Sequence, residues 1–389
     1  MVSSFYPPYR GGGETYVSSL SQRLVKRGHT VTVYSAQTPC SAGETSDMGV
    51  RVIRMQTHGS FYGTPLSFFP PDFLSEKFDI IHCNFPNPYF SLVSAAVSRL
   101  RGIPSVLTWH NDVPEVTPVA SVLVHLHDVL STVYLAAYDK IIATTNVYAK
   151  TSPTLKRFSR KVEVISNGVD TLRFKPGNNG TSIRSRLKID EGTVLVAFVG
   201  ALTPWHTYKG LDIAISAMQK IVRSKRDVKL MIVGGGGLLG FYRERAATLG
   251  VSSNVLFVGT VSDATLPEYY AACDLLVLPS KDRSEGFGLV LLEAMATAKP
   301  VIASKTGGIS EIVREDETGM LVEPNDVEGL ADAILRLAGD SDIRRTLGLA
   351  GRRFAELHDW NLITERTDRL YREVVNTLSL IHISEPTRP

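Results

Sequence analysis

The sequence predicts an α/β chain made of two doubly wound domains, each a mostly parallel sheet covered by helices. Short β-branched apolar runs alternate with longer amphipathic stretches, which is the pattern of strands joined by crossover helices. The series restarts near residue 193, and 389 residues suit two domains of similar size better than one.

In the first series TVTVYSA, VRVIRM, FDIIHCN, PSVLTWH, KIIATT and VEVIS read as strands bounded by turn residues. ETYVSSLSQRLVKRG reads as a helix with Val17, Leu20, Leu24 and Val25 on its apolar side and Gly28 as its stop. In the second series TVLVAFVG, VKLMIVG, NVLFVG, DLLVLPS and KPVIAS read as five strands, separated by helical stretches such as YKGLDIAISAMQKIVRS. Residues 170–190 are polar and Gly/Asn-rich and read as a linker. The expected domains are 1–170 and 171–359, with a closing helix over 360–377 that crosses back onto the first. Ligands are expected in the cleft between the domains, beside the carboxyl ends of the strands. The opening, VSSFYPPYRGGG, reads as the end of a first strand whose greater part is missing. Residues 378–389, LSLIHISEPTRP, read as a translated adapter sequence and are set aside from fold reasoning.

Cys40, Cys83 and Cys273 are odd in number and far apart, so neither a disulfide framework nor a metal-ligand spacing is expected. That pattern points to a reducing, cytoplasmic compartment. No apolar run is long enough to span a bilayer, and the first residues lack the basic and apolar regions of a secretory leader. The whole net charge of +3 lies in residues 1–170, which hold 15 basic and 12 acidic side chains. This bias is too weak for nucleic-acid binding. It permits an anionic membrane as partner, for which Lys150, Lys156, Arg157, Arg160 and Lys161, beside the apolar stretch 116–138, are the candidate contact.

The sharpest motif is EGFGLVLLEAMA, where Glu285 and Glu293 bracket seven residues after the strand DLLVLPS. Gly286 and Gly288 let backbone approach a ligand, and a helix start offers unpaired N–H groups and a positive dipole end to a diphosphate. If the whole segment is helical, the carboxylates lie ~12 Å apart along the axis. That span fits the two ends of one elongated ligand and exceeds the spacing of a hydrolytic pair. The plainer reading is a surface helix with two solvated glutamates.

The motif resembles the paired-glutamate signature of glycosyltransferase family 4. GGGETYVSSLSQRLVKRGHTVTVYS, ISNGVDTLRFKP, YKGLDIAI, VLFVGTV, LPEYYAACDLLVLPS and GGISEIVREDETGMLVEPND have family counterparts in the same order, up to about residue 376. The resemblance implies the GT-B architecture of two facing Rossmann-like domains and retaining transfer of a hexosyl group from a UDP- or GDP-linked sugar to an unknown acceptor. No His/Cys/Asp/Glu cluster has metal spacing, and a lysine with a helix dipole can do the electrostatic work, so neither a metal nor a cofactor is expected. The resemblance implies that Gly11, Gly12 and Gly13 form a loop facing the donor phosphates and that His110 lies beside the donor sugar. Lys209 would neutralise the leaving diphosphate. Glu285 would orient the sugar, and Gly286, Phe287 and Gly288 would line the donor site, with the helix start near Gly288 facing the diphosphate. Glu293 would hold the ribose, and Val261 would pack near the base. Many members place an arginine directly after the glycine that ends the strand FVG; here Ala201 stands there, and His206 is the candidate for part of the missing charge.

Two motifs compete for attention. Gly235, Gly237 and Gly240 fit G-x-G-x-x-G, but NVLFVG lacks the terminal acid a dinucleotide fingerprint needs. Asp340 and Asp342 spell D-x-D but precede IRRTLGLAGRRF, where aspartate caps a helix. The rival functions are a sugar-nucleotide epimerase of the same fold, an inactive sugar-nucleotide-binding homologue, and a pyridoxal-dependent phosphorylase.

Overall fold

The structure, a computed structural model, describes residues 1–9, 11–61, 64–111 and 131–384. It divides into two compact units, residues 1–167 with the helix from Trp360 onward, and residues 168–359.

The first unit carries β1 Thr32–Ala36, β2 Gly43–Asp47, β3 Val50–Met55, β4 Thr57–Phe61, β5 Thr64–Ser67, β6 Ile81–Phe85, β7 Ser105–Trp109, β8 Lys140–Ala143 and β9 Val162–Val164. β6, β7, β8 and β9 pair in parallel in that order, and β1 pairs in parallel with β3. Val2 bridges to Tyr34 on one side and Cys83 on the other, so a single residue joins the two groups into one sheet. Alternation along the strands feeds two cores. Leu107, Trp109, Ile141 and Ala143 enter one; Val106 and Ile142 enter the other. The second core is closed by two helices. Tyr16, Val17, Leu20 and Leu24 from Gly12–Lys26 meet Trp360, Ile363, Leu370, Tyr371 and Val374 from Trp360–Ser384, at the three- and four-residue spacing of one helical face. Asp368, nearly fully buried, pins this packing through Arg27 and Arg372, both at 3.2 Å. The final helix runs without a break through the first seven residues of the stretch set aside above. β2 and the β4–β5 hairpin are additions that the sequence reading missed. β2 is GETSD, with no apolar alternation and almost every side chain exposed.

The second unit is one six-stranded, all-parallel sheet in the order β12-β11-β10-β13-β14-β15. Its strands are β10 Val194–Val199, β11 Val228–Val233, β12 Val255–Gly259, β13 Leu275–Leu278, β14 Val301–Ser304 and β15 Gly319–Val322. Val194, Val196 and Phe198 enter the core on one face, Leu195 and Ala197 the core on the other. The sixth strand, GMLV, is four residues between polar turns, too short for a periodicity to declare it. The linker reading of 170–190 needs correction. Phe174, Ile183 and Ile189 are buried in this unit's core, and Arg184 donates to Thr193 O at 2.7 Å and reaches Asp274 at 3.2 Å. Single apolar residues separated by polar ones leave no period to read.

Among the described residues no helix is long and apolar enough to cross a membrane. Lys161 leaves the basic cluster assigned to a membrane, because its ammonium donates to Ala136 O and Tyr138 O, both at 2.7 Å, at the end of helix 131–137. Of the apolar stretch 116–138, residues 116–130 lie outside the described residues.

Candidate active site

β10 has β11 on one side and β13 on the other, so chain order reverses across it. At such a switch point the loops leaving neighbouring strands diverge and expose a crevice at their carboxyl ends. The loop after β10 carries Lys209, and the loop after β13 carries Glu285. Three contacts clamp the two loops together. Tyr208 O accepts from Lys281 N at 2.7 Å, the Lys281 ammonium reaches Asp212 at 2.7 Å, and Gly210 lies against Pro279. Gly210 must be glycine. Its φ is +73°, and a Cβ there would fall 1.9 Å from Pro279 O.

Between β10 and that glycine, Pro204–Lys209 forms a short 3₁₀ turn, begun by a proline whose missing N–H needs no partner there. Its last residue, Lys209, runs its stem across Gly200 and ends 2.5 Å from the Glu285 Oε2. Both side chains are largely buried, at 15% and 8% exposure. Burial works against the Lys209 charge, but the Glu285 carboxylate and the Tyr208 hydroxyl outweigh it and hold its pKa above the ordinary lysine value. The ammonium also stands 5.3 Å from the Tyr208 ring centroid. A fixed cation beside a fixed carboxylate can stabilise an anionic leaving group while the carboxylate accepts hydroxyl protons.

The helical expectation for EGFGLVLLEAMA holds only in part. The helix spans Leu289–Ala296, and Glu285 precedes it in a loop, so the ~12 Å helical spacing does not describe the pair. Gly288 sets the boundary, with φ +81° at the N-cap, a conformation side chains other than glycine rarely take. Gly286 and Gly288 are buried, and Phe287 is 4% exposed in the unit's core. Val261, beyond β12, packs half-buried on the same core.

Glu293 lies in the second turn of that helix and is half-buried. Tyr270, from the helix Leu266–Ala272, donates to its Oε2 at 2.6 Å. Burial pushes the Glu293 carboxyl up to about 7, against Tyr270 and the Arg173 guanidinium, which pull it down. Sequence reasoning missed Tyr270, Tyr208 and Arg173. A tyrosine in LPEYYAA reads as core, and only the fold brings it to Glu293.

His206 accepts from or donates to Thr203 Oγ1 through Nδ1 at 2.7 Å. Burial and the Lys209 charge lower its pKa. The Glu285 carboxylate opposes that lowering, and a diphosphate bound beside the ring would act in the same direction. Ala201 is half-buried just past Gly200. Gly235 and Gly236 pack on this same loop, where Leu202 N donates to Gly235 O at 2.9 Å and Leu238 N to Leu202 O at 2.9 Å. The glycine run after β11 thus has a packing purpose. Asp340 accepts from Asp342 N and Ile343 N, both at 2.9 Å, and so caps Ser341–Glu356.

In the first unit the three-glycine loop is corrected too. The helix begins at Gly12, so Gly12 and Gly13 form its first turn and only Gly11 precedes it, in extended conformation. First-turn N–H groups lack intrahelical acceptors and still suit an anion. Glu14 already stands in that turn, half-buried, with its pKa raised by burial. His110 follows β7. Its Nε2 is 3.4 Å from Asn84 Oδ1, and its ring meets Tyr16 edge-on at 4.8 Å. Burial lowers its pKa to about 4, so it is neutral at pH 7. Behind it a buried chain runs from Tyr16 to Thr108 at 3.1 Å, from Thr108 to His82 at 2.7 Å, and from His82 to Tyr371 of the last helix.

Two family profiles match the chain one after the other, "Glycosyltransferase Family 4" over residues 10–173 and "Glycosyl transferases group 1" over residues 180–354. A GDP-mannose-dependent alpha-(1-6)-phosphatidylinositol monomannoside mannosyltransferase of Mycobacterium tuberculosis (strain H37Rv) is 31% identical, over 97% of this chain and 97% of its own. O-antigen chain mannosyltransferase C of Escherichia coli is 28% identical, over 97% and 99%. Among solved structures, a sucrose-phosphate synthase from Thermosynechococcus elongatus matches with a TM-score of 0.76 at 24% identity, over 97% of this chain and 100% of that one, a likeness of fold.

Proposed function

This chain belongs to glycosyltransferase family 4 and has the GT-B fold, and from that premise we propose that it moves a hexosyl group, with retention at the anomeric carbon, from a GDP-linked sugar to a glycolipid or polysaccharide hydroxyl. That it is a glycosyltransferase using a nucleotide-sugar donor follows from the family and its named relatives. GDP-mannose is the donor to try first, because one relative is named as dependent on it and another as a mannosyltransferase.

The observation that carries the reading is the Lys209–Glu285 pair at the switch point of the second sheet. When the bond from the anomeric carbon to the diphosphate oxygen breaks, its electron pair stays on the diphosphate. Lys209 and the helix start after Gly288 supply positive charge where that charge grows. Lys209 keeps further N–H donors after pairing with Glu285. The acceptor oxygen bonds to the anomeric carbon on the face the diphosphate leaves, and its proton passes to the departing diphosphate oxygen. This route uses no protein nucleophile. Glu285 orients the sugar, with Gly286, Phe287 and Gly288 lining the donor site; Glu293 takes the ribose; Val261 packs near the base; and His206, charged by the diphosphate beside it, supplies part of the positive charge that Ala201 leaves out. His110 and the Gly11–Gly13 helix start are the first unit's candidates for donor contact.

The test is transfer from GDP-mannose and from UDP-glucose to a panel of glycolipid acceptors, with the product's anomeric configuration read by proton NMR. An inverted product, or an epimerised nucleotide sugar without transfer, overturns the reading. Because Lys209 and a helix dipole supply the positive charge, turnover in excess EDTA is expected to match the untreated rate. A rate abolished by EDTA and restored by magnesium or manganese contradicts it. For a peripheral membrane contact the exposed Lys150, Lys156, Arg157 and Arg160 remain the support. Co-sedimentation with anionic vesicles at low salt is expected, and its absence ends the idea.

A further inference from the structure

We infer that Tyr270 is a positioning residue for the donor, whose hydroxyl fixes the Glu293 carboxylate in the plane that receives the ribose diol. The inference rests on the assignment of Glu293 to the ribose. A carboxylate that binds a vicinal diol needs both oxygens presented at a set angle, and a half-buried glutamate in the second turn of a helix has free torsions to lose. Tyr270 removes them. Its hydroxyl donates to Oε2 at 2.6 Å and takes one lone pair there, so that Oε2 keeps a second and Oε1 both of its own for the diol. The ring cannot shift. It is 1% exposed and meets Phe174 edge-on at 5.6 Å. Phe174 is itself buried, with the Arg173 guanidinium 4.7 Å from its ring centroid, and Arg173 donates to Asp263 O. The segment that reads as a linker in sequence therefore braces the tyrosine that braces the glutamate.

The titratable and charged groups that act on Glu293 are Tyr270 and Arg173, which lower its pKa, and Asp263, which raises it. Burial, the largest influence, brings that pKa to about 7. Donor binding that needs the carboxylate must then weaken as pH falls through that value. Removing the tyrosine hydroxyl takes away a bond to the charged form, so the acid limb moves to higher pH.

The experiment measures binding of GDP, 2′-deoxy-GDP and 3′-deoxy-GDP by calorimetry across pH 5.5–8.5, with wild type, Tyr270→Phe and Glu293→Gln. Tyr270→Phe keeps the ring and its packing. It is expected to weaken GDP about tenfold, the usual worth of one bond to a charged group. It should leave at least one deoxy analogue nearly unchanged, so that discrimination collapses, and should raise the midpoint of the acid limb. Unchanged discrimination and an unmoved acid limb in Tyr270→Phe, with discrimination lost in Glu293→Gln, overturn the role of Tyr270 and leave the ribose assignment standing. Full discrimination in Glu293→Gln overturns the ribose assignment and this inference with it.

Discussion

Replacing Lys209 with alanine is expected to lower kcat by roughly 10²–10³, the usual loss when one preorganised transition-state charge contact is removed. The ammonium is fixed 2.5 Å from Glu285, so it stabilises the leaving diphosphate without reorganising during the reaction. Two effects must be separated. Lys209→Ala also strands a buried carboxylate, and stability falls for that reason alone. The double variant Lys209→Ala with Glu285→Gln has no stranded charge. It should recover most of the lost Tm and none of the lost rate. Recovery of rate along with Tm would show that Lys209 serves only to hold the fold. Lys209→Arg should restore part of the rate at most, since the planar guanidinium does not match a point ammonium in a buried site.

Much of the fold is visible in the sequence because its strands are fully buried. In the second unit, runs such as VLVAFV and VKLMIV feed both faces of one sheet, so every residue but Lys229 is apolar. Elements that owe their pairing to position rather than composition stay hidden: β2 is polar, and β15 is four residues long. For the same reason residues 170–190 read as a linker, although Phe174 and Ile183 anchor them in a core.

The candidate site divides along a similar line. Lys209, Glu285 and Glu293 are visible as motif residues. Their partners are not, because partnership depends on strand order. Lys209 and Glu285 are 76 residues apart and meet only because β10 and β13 are neighbours. Helix boundaries show the same limit. Gly12, Gly13 and Gly288 are legible as glycines near helix starts, but whether each falls inside or outside the first turn depends on backbone angles.

Glu285→Gln is expected to lower kcat/KM by roughly 10–10², the worth of a bond or two from sugar hydroxyls to a carboxylate, and to make stability rise with pH where the wild type's share from this pair is flat. In the wild type Lys209 has a folded pKa above its unfolded value. The pair's contribution is therefore complete below the unfolded lysine value of about 10.4 and is lost only as pH rises from there through the folded one. Between pH 7 and 9.5 it is flat. Without the carboxylate, burial becomes the dominant influence on Lys209, and its folded pKa drops below the unfolded value. The unfolded chain then binds more protons, so stability must rise with pH as the ammonium is relieved of its charge. The penalty at pH 7 should be near the lower end of the ~3–5 kcal/mol seen when a buried pair is broken, because Lys209 keeps 15% exposure. Thermal melts of the variant at pH 7, 8, 9 and 9.5 should converge on the wild-type Tm as pH climbs. Parallel curves across that range would show that water screens the ammonium, and that the pair acts through geometry rather than through buried charge.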